Sequence, residues 1–119
     1  MLNQVVLVGR LTSDMEVMTS EDGKKYCNMS LAIPRSFKNA EGVYDTDFVN
    51  IKTFDSIAQN TAEYCKRGDI VGIKGRLQTD SFEKEEGEKV FKLNVIAEKV
   101  TFLSSRYNEN KNKDDVERD

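Results

Sequence analysis

In the stretch TDFVNIKTFD, residues 46 to 55, two phenylalanines, an amide and an ammonium alternate with aliphatic and hydroxyl side chains. Successive side chains of a strand point to opposite sides, so Val49, Ile51 and Thr53 share one face and Phe48, Asn50, Lys52 and Phe54 the other. Phe48 and Phe54 then stand about 20 Å apart at ~3.3 Å per residue. A ring at each end with polar groups between suits an extended polymer better than a compact ligand. The region from Ile70 repeats the pattern: Ile73 and Leu77 take the core side, and Lys74, Arg76, Gln78 and Phe82 the other. Phe37 stands beside Lys38 in the loop segment PRSFKNAEG, with Arg35 just before it.

Aromatic rings accompanied by cations and amides are what unpaired nucleic acid requires. Every base offers a flat face, and stacking on a ring contributes ~1 to 3 kcal/mol per base without regard to sequence. Lysine and arginine displace the counterions of phosphates, at roughly 0.7 log unit of affinity per log unit of salt for each phosphate on a single strand. A lone phenylalanine is ordinarily a core residue; it is the placement of the set opposite the aliphatic face that favours binding. By the same reasoning Tyr26, Tyr44, Phe91 and Phe102 are assigned to packing or interfaces, and Lys24, Lys25 and Lys66 to solvated surface.

These residues must be positioned by a small fold. The 119 residues, 38% of them apolar, make one compact domain. No apolar run approaches the ~20 residues of a membrane span, and Val5 to Val8 is too short for a signal peptide, so a cytoplasmic protein is expected. Cys27 and Cys65 lie far apart with no CxxC, and there is no histidine. Neither a zinc site, a disulfide nor a histidine-based catalytic group is indicated, and no GxxxxGK[ST] nucleotide loop occurs. No cofactor is expected. The formal net charge is -3, but charges more than ~10 Å apart hardly interact at ~0.1 M salt, so distribution matters more. Residues 23 to 40 carry Lys24, Lys25, Arg35 and Lys38 with no acid, whereas Glu83, Glu85, Glu86 and Glu88 crowd one loop.

Five strands are expected: 5 to 11, 26 to 33, the quoted stretch, Ile70 to about Phe82, and Val90 to Leu103. In the first, Val5, Leu7 and Leu11 oppose Val6, Val8 and Arg10. In the second, Cys27, Met29, Leu31 and Ile33 oppose Asn28 and Ser30. In the fifth, Phe91, Leu93, Val95 and Ala97 oppose Lys92, Asn94 and Ile96, with an irregularity near Glu98. A helix lies between the third and fourth, capped by Asp55 or Ser56, with Ile57, Thr61, Tyr64 and Cys65 at helical spacing, Lys66 and Arg67 in its last turn and Gly68 as its stop. Three strands, a helix and two strands match the all-β OB-fold, a five-stranded Greek-key barrel. Residues 1 to 103 form this domain, and the polar, aperiodic run from 104 to 119 reads as a disordered tail.

The segments NQVVLVGRLTSDMEV, LAIPRSFKNAEG, DFVNIKTFDSIAQNTAEYCKRGDIVGIKGRLQTDSF and VIAEKVTFL together resemble the bacterial and phage single-stranded DNA-binding proteins, collinearly over about residues 1 to 103. The resemblance implies a homotetramer around which single-stranded DNA wraps through stacking aromatics and basic side chains during replication, recombination and repair. It places Phe37, Phe48, Phe54 and Phe82 on the family's aromatic positions. The binding set so defined is Phe37, Phe48, Phe54 and Phe82 with Arg10, Arg35, Lys38, Asn50, Lys52, Arg67, Lys74 and Arg76. The chain departs from the family in having no tryptophan, in Met15 where a proline is frequent, and in Asp80 and Ser81 where many members carry basic residues. Its last residues, Asp114, Asp115, Val116, Glu117, Arg118 and Asp119, lack the family's proline and phenylalanine ending, so recruitment of replication and repair enzymes by the tail is not implied. A competing reading is a carboxylate nuclease on an OB barrel, using Asp45, Asp47, Asp55 or Glu63 to hold a divalent metal. A third is an OB module for protein or sugar.

Overall fold

The structure, a computed structural model, describes residues 1–105. The expected disordered tail falls, from residue 106 on, outside the described residues. The elements in chain order are β1 (Val5–Leu11), β2 (Met18–Thr19), β3 (Lys25–Lys38), β4 (Tyr44–Phe54), α1 (Asp55–Tyr64), β5 (Ile70–Glu83) and β6 (Lys89–Ser104). The sheet runs β1-β5-β6-β4-β3-β2, and β1 also pairs with β3 through Arg10↔Ala32 and Leu11↔Leu31. That second pairing closes β1, β5, β6, β4 and β3 into a five-stranded barrel. The pair β4–β6 is parallel, Ile51↔Val95 and Lys52↔Ile96, and the others are antiparallel. The OB-fold expectation holds, with α1 between the third and fourth long strands. The two-residue β2 beside Tyr26 is too short to carry a periodicity of its own.

Alternation explains the core. Leu11, Met29, Leu31, Ile51, Val71, Ile73, Val95 and Ala97 meet inside the barrel, with Cys65 from the segment after the helix, and Leu7, Ile33, Val49 and Val100 complete the wall. Those on strands are the inward members of a period-two pattern, whose phase in β6 shifts by one residue between Ala97 and Val100. Thr53 is also sealed and donates its hydroxyl to the Cys27 carbonyl at 3.0 Å, so burial leaves no unmet donor there. Both cysteines are buried and reduced, and burial pushes both thiols above their usual pKa, which makes them inert packing groups.

The irregularity expected near Glu98 is a bulge: Lys74 pairs with Lys99, but Gly75 pairs with Ala97, leaving Glu98 unmatched. There β6 presses so close that a side chain at Gly75 would run into the Ile96 carbonyl oxygen. Gly9 serves the same purpose where the barrel closes, since a Cβ there would lie 2.7 Å from the Ala32 carbonyl oxygen.

Three local expectations are corrected. Leu77, Phe91 and Leu93 continue the core-facing parity of their strands yet are exposed. The pairing of β1 with β5 stops at Val5↔Gly75, and that of β4 with β6 at Ile51↔Val95, so beyond these points β5 and β6 project as a hairpin with no wall to pack against. Conversely, Asn94 and Ile96 have outward parity but are buried. At the helix, Phe54 is the cap position and no side chain caps it, because β4 runs into α1 without a connecting residue and Asp55 makes the corner at φ 53. Lys66 and Arg67 lie past the last turn, in a tight turn closed by Asp69, whose N–H donates to the Lys66 carbonyl at 3.0 Å and whose carboxylate accepts from the Lys66 N–H at 2.8 Å. Gly68, at φ 93, belongs to that turn, and its N–H donates to the Leu11 carbonyl at 2.8 Å, stitching it to β1.

Candidate nucleic-acid interface

The outward side of β4 presents Phe48, Asn50, Lys52 and Phe54, and antiparallel register sets Ala32, Ser30, Asn28 and Tyr26 of β3 directly opposite them. Cross-strand partners have Cβ atoms ~4.5 to 5.5 Å apart, so the two rows form one continuous surface. The rings are in solvent: Phe48 is 68%, Phe37 64%, Phe82 50% and Phe54 40% exposed, whereas Ile51 between the two β4 phenylalanines is 0% exposed. None of the four rings is sealed in the barrel. Tyr26 was assigned to packing from sequence, but it faces the same side as Phe54, with its hydroxyl 3.9 Å from the Met18 sulfur. Its parity with Asn28 and Ser30 was the available signal.

On β5 the outward row is Lys74, Arg76, Gln78, Asp80 and Phe82, opposite Lys99, Ile96, Asn94, Lys92 and Val90 of β6. Polar contacts run along it. The Arg76 guanidinium donates to the Gln78 Oε1 at 2.8 Å, and the Gln78 amide donates to Asp80 Oδ1 at 3.3 Å. The Asn94 amide donates to Asp80 Oδ2 at 2.9 Å, and the Lys52 ammonium lies 3.6 Å from the same oxygen. The hydrogen bond from Gln78, with those from Asn94 and the charge of Lys52, holds the Asp80 carboxyl below its usual range. Asn94 Oδ1 is buried without a partner among the described residues. Between this row and β3 runs a groove lined by Ser13, Asn28, Ser30, Asn50, Lys52, Lys92 and Asn94. Lys92 and Asn94 are outside the expected binding set, although the alternation of the fifth strand sets them opposite Leu93 and Val95.

The remaining residues of the expected set divide by position. Arg10 donates to the Gly68 carbonyl at 2.7 Å and, with Thr12, Ala32 and Arg67, lines a second groove. Ala32 is the register partner of Phe48, so this groove adjoins the ring-bearing face. The Arg67 N–H donates to Asp14 Oδ1 at 2.9 Å. Lys38 lies 5.7 Å from the Tyr44 ring centroid near the end of the β3–β4 hairpin, and Phe37 stands in the irregular segment before it. Arg35 forks onto Asp47 at 3.0 and 3.2 Å and reaches Asp45 at 3.8 Å. Its hydrogen bonds hold Asp47 below the usual carboxylate range. The fork lies on the parity of Ile33 and Val49, so it is not part of the Phe48 row. Lys74 sits between Val6 and Lys99, on the β1 side of the barrel. The structure thus brings together Phe48, Phe54, Asn50, Lys52, Arg76 and Phe82, sets Arg10 and Arg67 beside them, leaves Lys74 at the β1 end of the β5 row, and keeps Arg35 and the tip of the β3–β4 hairpin apart.

Among the described residues no three His, Cys, Asp or Glu side chains are grouped to hold a metal ion, and no helix is long and apolar enough to cross a membrane. Asp45 and Asp47 are engaged by Arg35, while Asp55 and Glu63 lie on α1.

The site is thus an OB barrel whose outer face carries exposed rings, amides and cations. The sequence comparisons are specific on this point. Residues 2–103 match the single-strand binding protein family, to which the chain belongs. Its relatives include the single-stranded DNA-binding protein B of Bacillus subtilis strain 168, 44% identical over 89% of this chain and 94% of the relative. Single-stranded DNA-binding protein 1 of Staphylococcus aureus strain MSSA476 is 41% identical over 100% of this chain and 73% of its own.

Proposed function

We propose that the chain binds single-stranded DNA without regard to sequence, stacking bases on Phe48, Phe54, Phe82 and Phe37 while lysine and arginine side chains meet the phosphates, and so protects unwound DNA during replication, recombination and repair. The observation that carries this reading is the exposure of both β4 phenylalanines on the face opposite a sealed aliphatic wall. Phe48, Phe54, Asn50 and Lys52 form the central track, Tyr26 extends it, and Phe82 with Arg76 continues it across β6 onto β5. Arg10 and Arg67 serve its β1 end, and Lys38 and Phe37 act from the hairpin. Arg35 and Lys74 contribute from the flanks. The binding unit is the domain over residues 1–103, working in the cytoplasm on the nucleoid. The test is selectivity: fluorescence anisotropy titration should show tight binding to oligo(dT) and at least tenfold weaker binding to a duplex of the same length, because pairing hides the faces the rings need. Equal affinity for both would refute the reading.

The homotetramer implied by the family resemblance is part of the same proposal. On the outside of β1, Val6 and Val8 are exposed, and Leu103 of β6 is exposed beside Gly72, the register partner of Val8. An apolar patch on this side, away from the Phe48 row, supports burial against a second copy. Val8→Glu places a charge in that contact and is expected to lower the oligomeric mass in sedimentation equilibrium while the far-ultraviolet circular dichroism is unchanged. An unaltered mass would remove this face from the assembly.

A further inference from the structure

The outer face of β4, β6 and β5 contains a feature that opposes the proposed ligand. Asp80 is an anion in the row that joins Phe54 to Phe82, and three donors converge on it: the Lys52 ammonium at 3.6 Å and the Asn94 amide at 2.9 Å on one oxygen, the Gln78 amide at 3.3 Å on the other. An ammonium and two amides are also what would hold two oxygens of a phosphodiester. Resting on the single-stranded DNA reading, we infer that Asp80 is a built-in phosphate surrogate: it holds Lys52 in place in the free protein and must surrender it to the backbone of the bound strand, which weakens binding and flattens its salt dependence.

The geometry supports competition rather than simple support. Lys52 and Asp80 are both partly exposed, so the pair is open to a strand lying along the row. The carboxylate is ionised at neutral pH, held so by the hydrogen bonds of Gln78 and Asn94 and the charge of Lys52. The backbone carries none of these contacts, and the barrel does not depend on the Lys52 pair, whose strands β4 and β5 are joined through β6 by the β4–β6 and β5–β6 ladders. A phosphate arriving at Lys52 gains an ammonium partner only as the carboxylate loses one, and it approaches a fixed negative charge.

Asp80→Asn tests this directly, because the charge is removed while the one amide oxygen still accepts from one of the two donors, Asn94 or Gln78. Oligo(dT) affinity is expected to rise about two- to fivefold, within the range of exposed ion pairs, and the slope of log K against log salt to steepen by about 0.7, the value for one more neutralised phosphate on a single strand. Asp80→Ser, which removes the charge with a shorter polar side chain, is expected to behave alike. In a Lys52→Met background the gain from Asp80→Asn should vanish. Unchanged or weaker binding by both Asp80 variants at an unchanged slope would overturn the inference, as would an equal gain in the Lys52→Met background, which would mark general repulsion. If the unsubstituted protein failed to bind oligo(dT), the function itself would fall; if it binds and Asp80→Asn changes nothing, this inference alone falls.

Discussion

Phe48→Ala and Phe54→Ala are each expected to lower oligo(dT) affinity by about fivefold to 150-fold, the loss of a base-on-ring stack worth ~1 to 3 kcal/mol. Both rings lie in solvent on β4, and neither belongs to the core cluster, so truncation opens no cavity and melting is expected to be unchanged. The two rings are about 20 Å apart by strand geometry, beyond the distance at which substitutions couple, so the double variant should lose the sum of the two free energies. The salt slope should stay constant, because no phosphate contact is removed. That invariance separates stacking from charge: a drop in slope with a drop in affinity would mean that the rings act by positioning Lys52 or Asn50. Anisotropy titrations at several salt concentrations, with circular dichroism on each variant, give the answer. Full retention of affinity in both single variants would eliminate the face as the site.

Leu31→Ala is expected to destabilise the fold by about 2 to 5 kcal/mol, the cost of emptying a fully buried leucine site. Leu31 is 0% exposed and is the residue at which the barrel closes, paired on one side with Leu11 of β1 and on the other with Val49 of β4. Its neighbours belong to three strands whose backbones are tied by ladders, so they cannot collapse into the space. A loss of this size is a large share of the ~5 to 15 kcal/mol by which domains are stable. Leu93→Ala is the control: the same side chain on the projecting β5–β6 hairpin is exposed and should change stability by no more than about 0.5 kcal/mol. Urea denaturation at a fixed protein concentration, since self-association adds to apparent stability, measures both. Similar effects at the two leucines would contradict the assignment of Leu31 to the barrel and Leu93 to an arm.

The comparison of Leu31 with Leu93 also shows how far local pattern carries. Both occupy the core parity of their strands, and the chain around each reads alike, yet one is sealed and the other in water. Whether a strand has a wall opposite it depends on where its neighbours end. For Leu93 the strands that end short are β4, which pairs with β6, and β1, which pairs with β5; both are distant in sequence, and no window around residue 93 contains that information. Asn94 shows the converse, a polar residue of outward parity that is buried, with its amide nitrogen donating to Asp80. Tyr26 differs from both: its parity was legible, and only the habit of assigning aromatics to packing placed it elsewhere.

What the chain's own order of residues determined is the choice of face. The inward set of Val49, Ile51 and Thr53, the outward set of Phe48, Asn50, Lys52 and Phe54, the bulge at Glu98 and the sequence of strands around one helix follow from a period of two and from local turn chemistry. Tertiary structure alone decided which stretches of each strand lie in the barrel, which cations meet carboxylates, and that Lys52 of β4 and Asp80 of β5 share an oxygen's neighbourhood. Those outcomes depend on register and barrel closure, which join residues far apart along the chain, whereas the direction of a side chain from its strand is set by the backbone of its immediate neighbours.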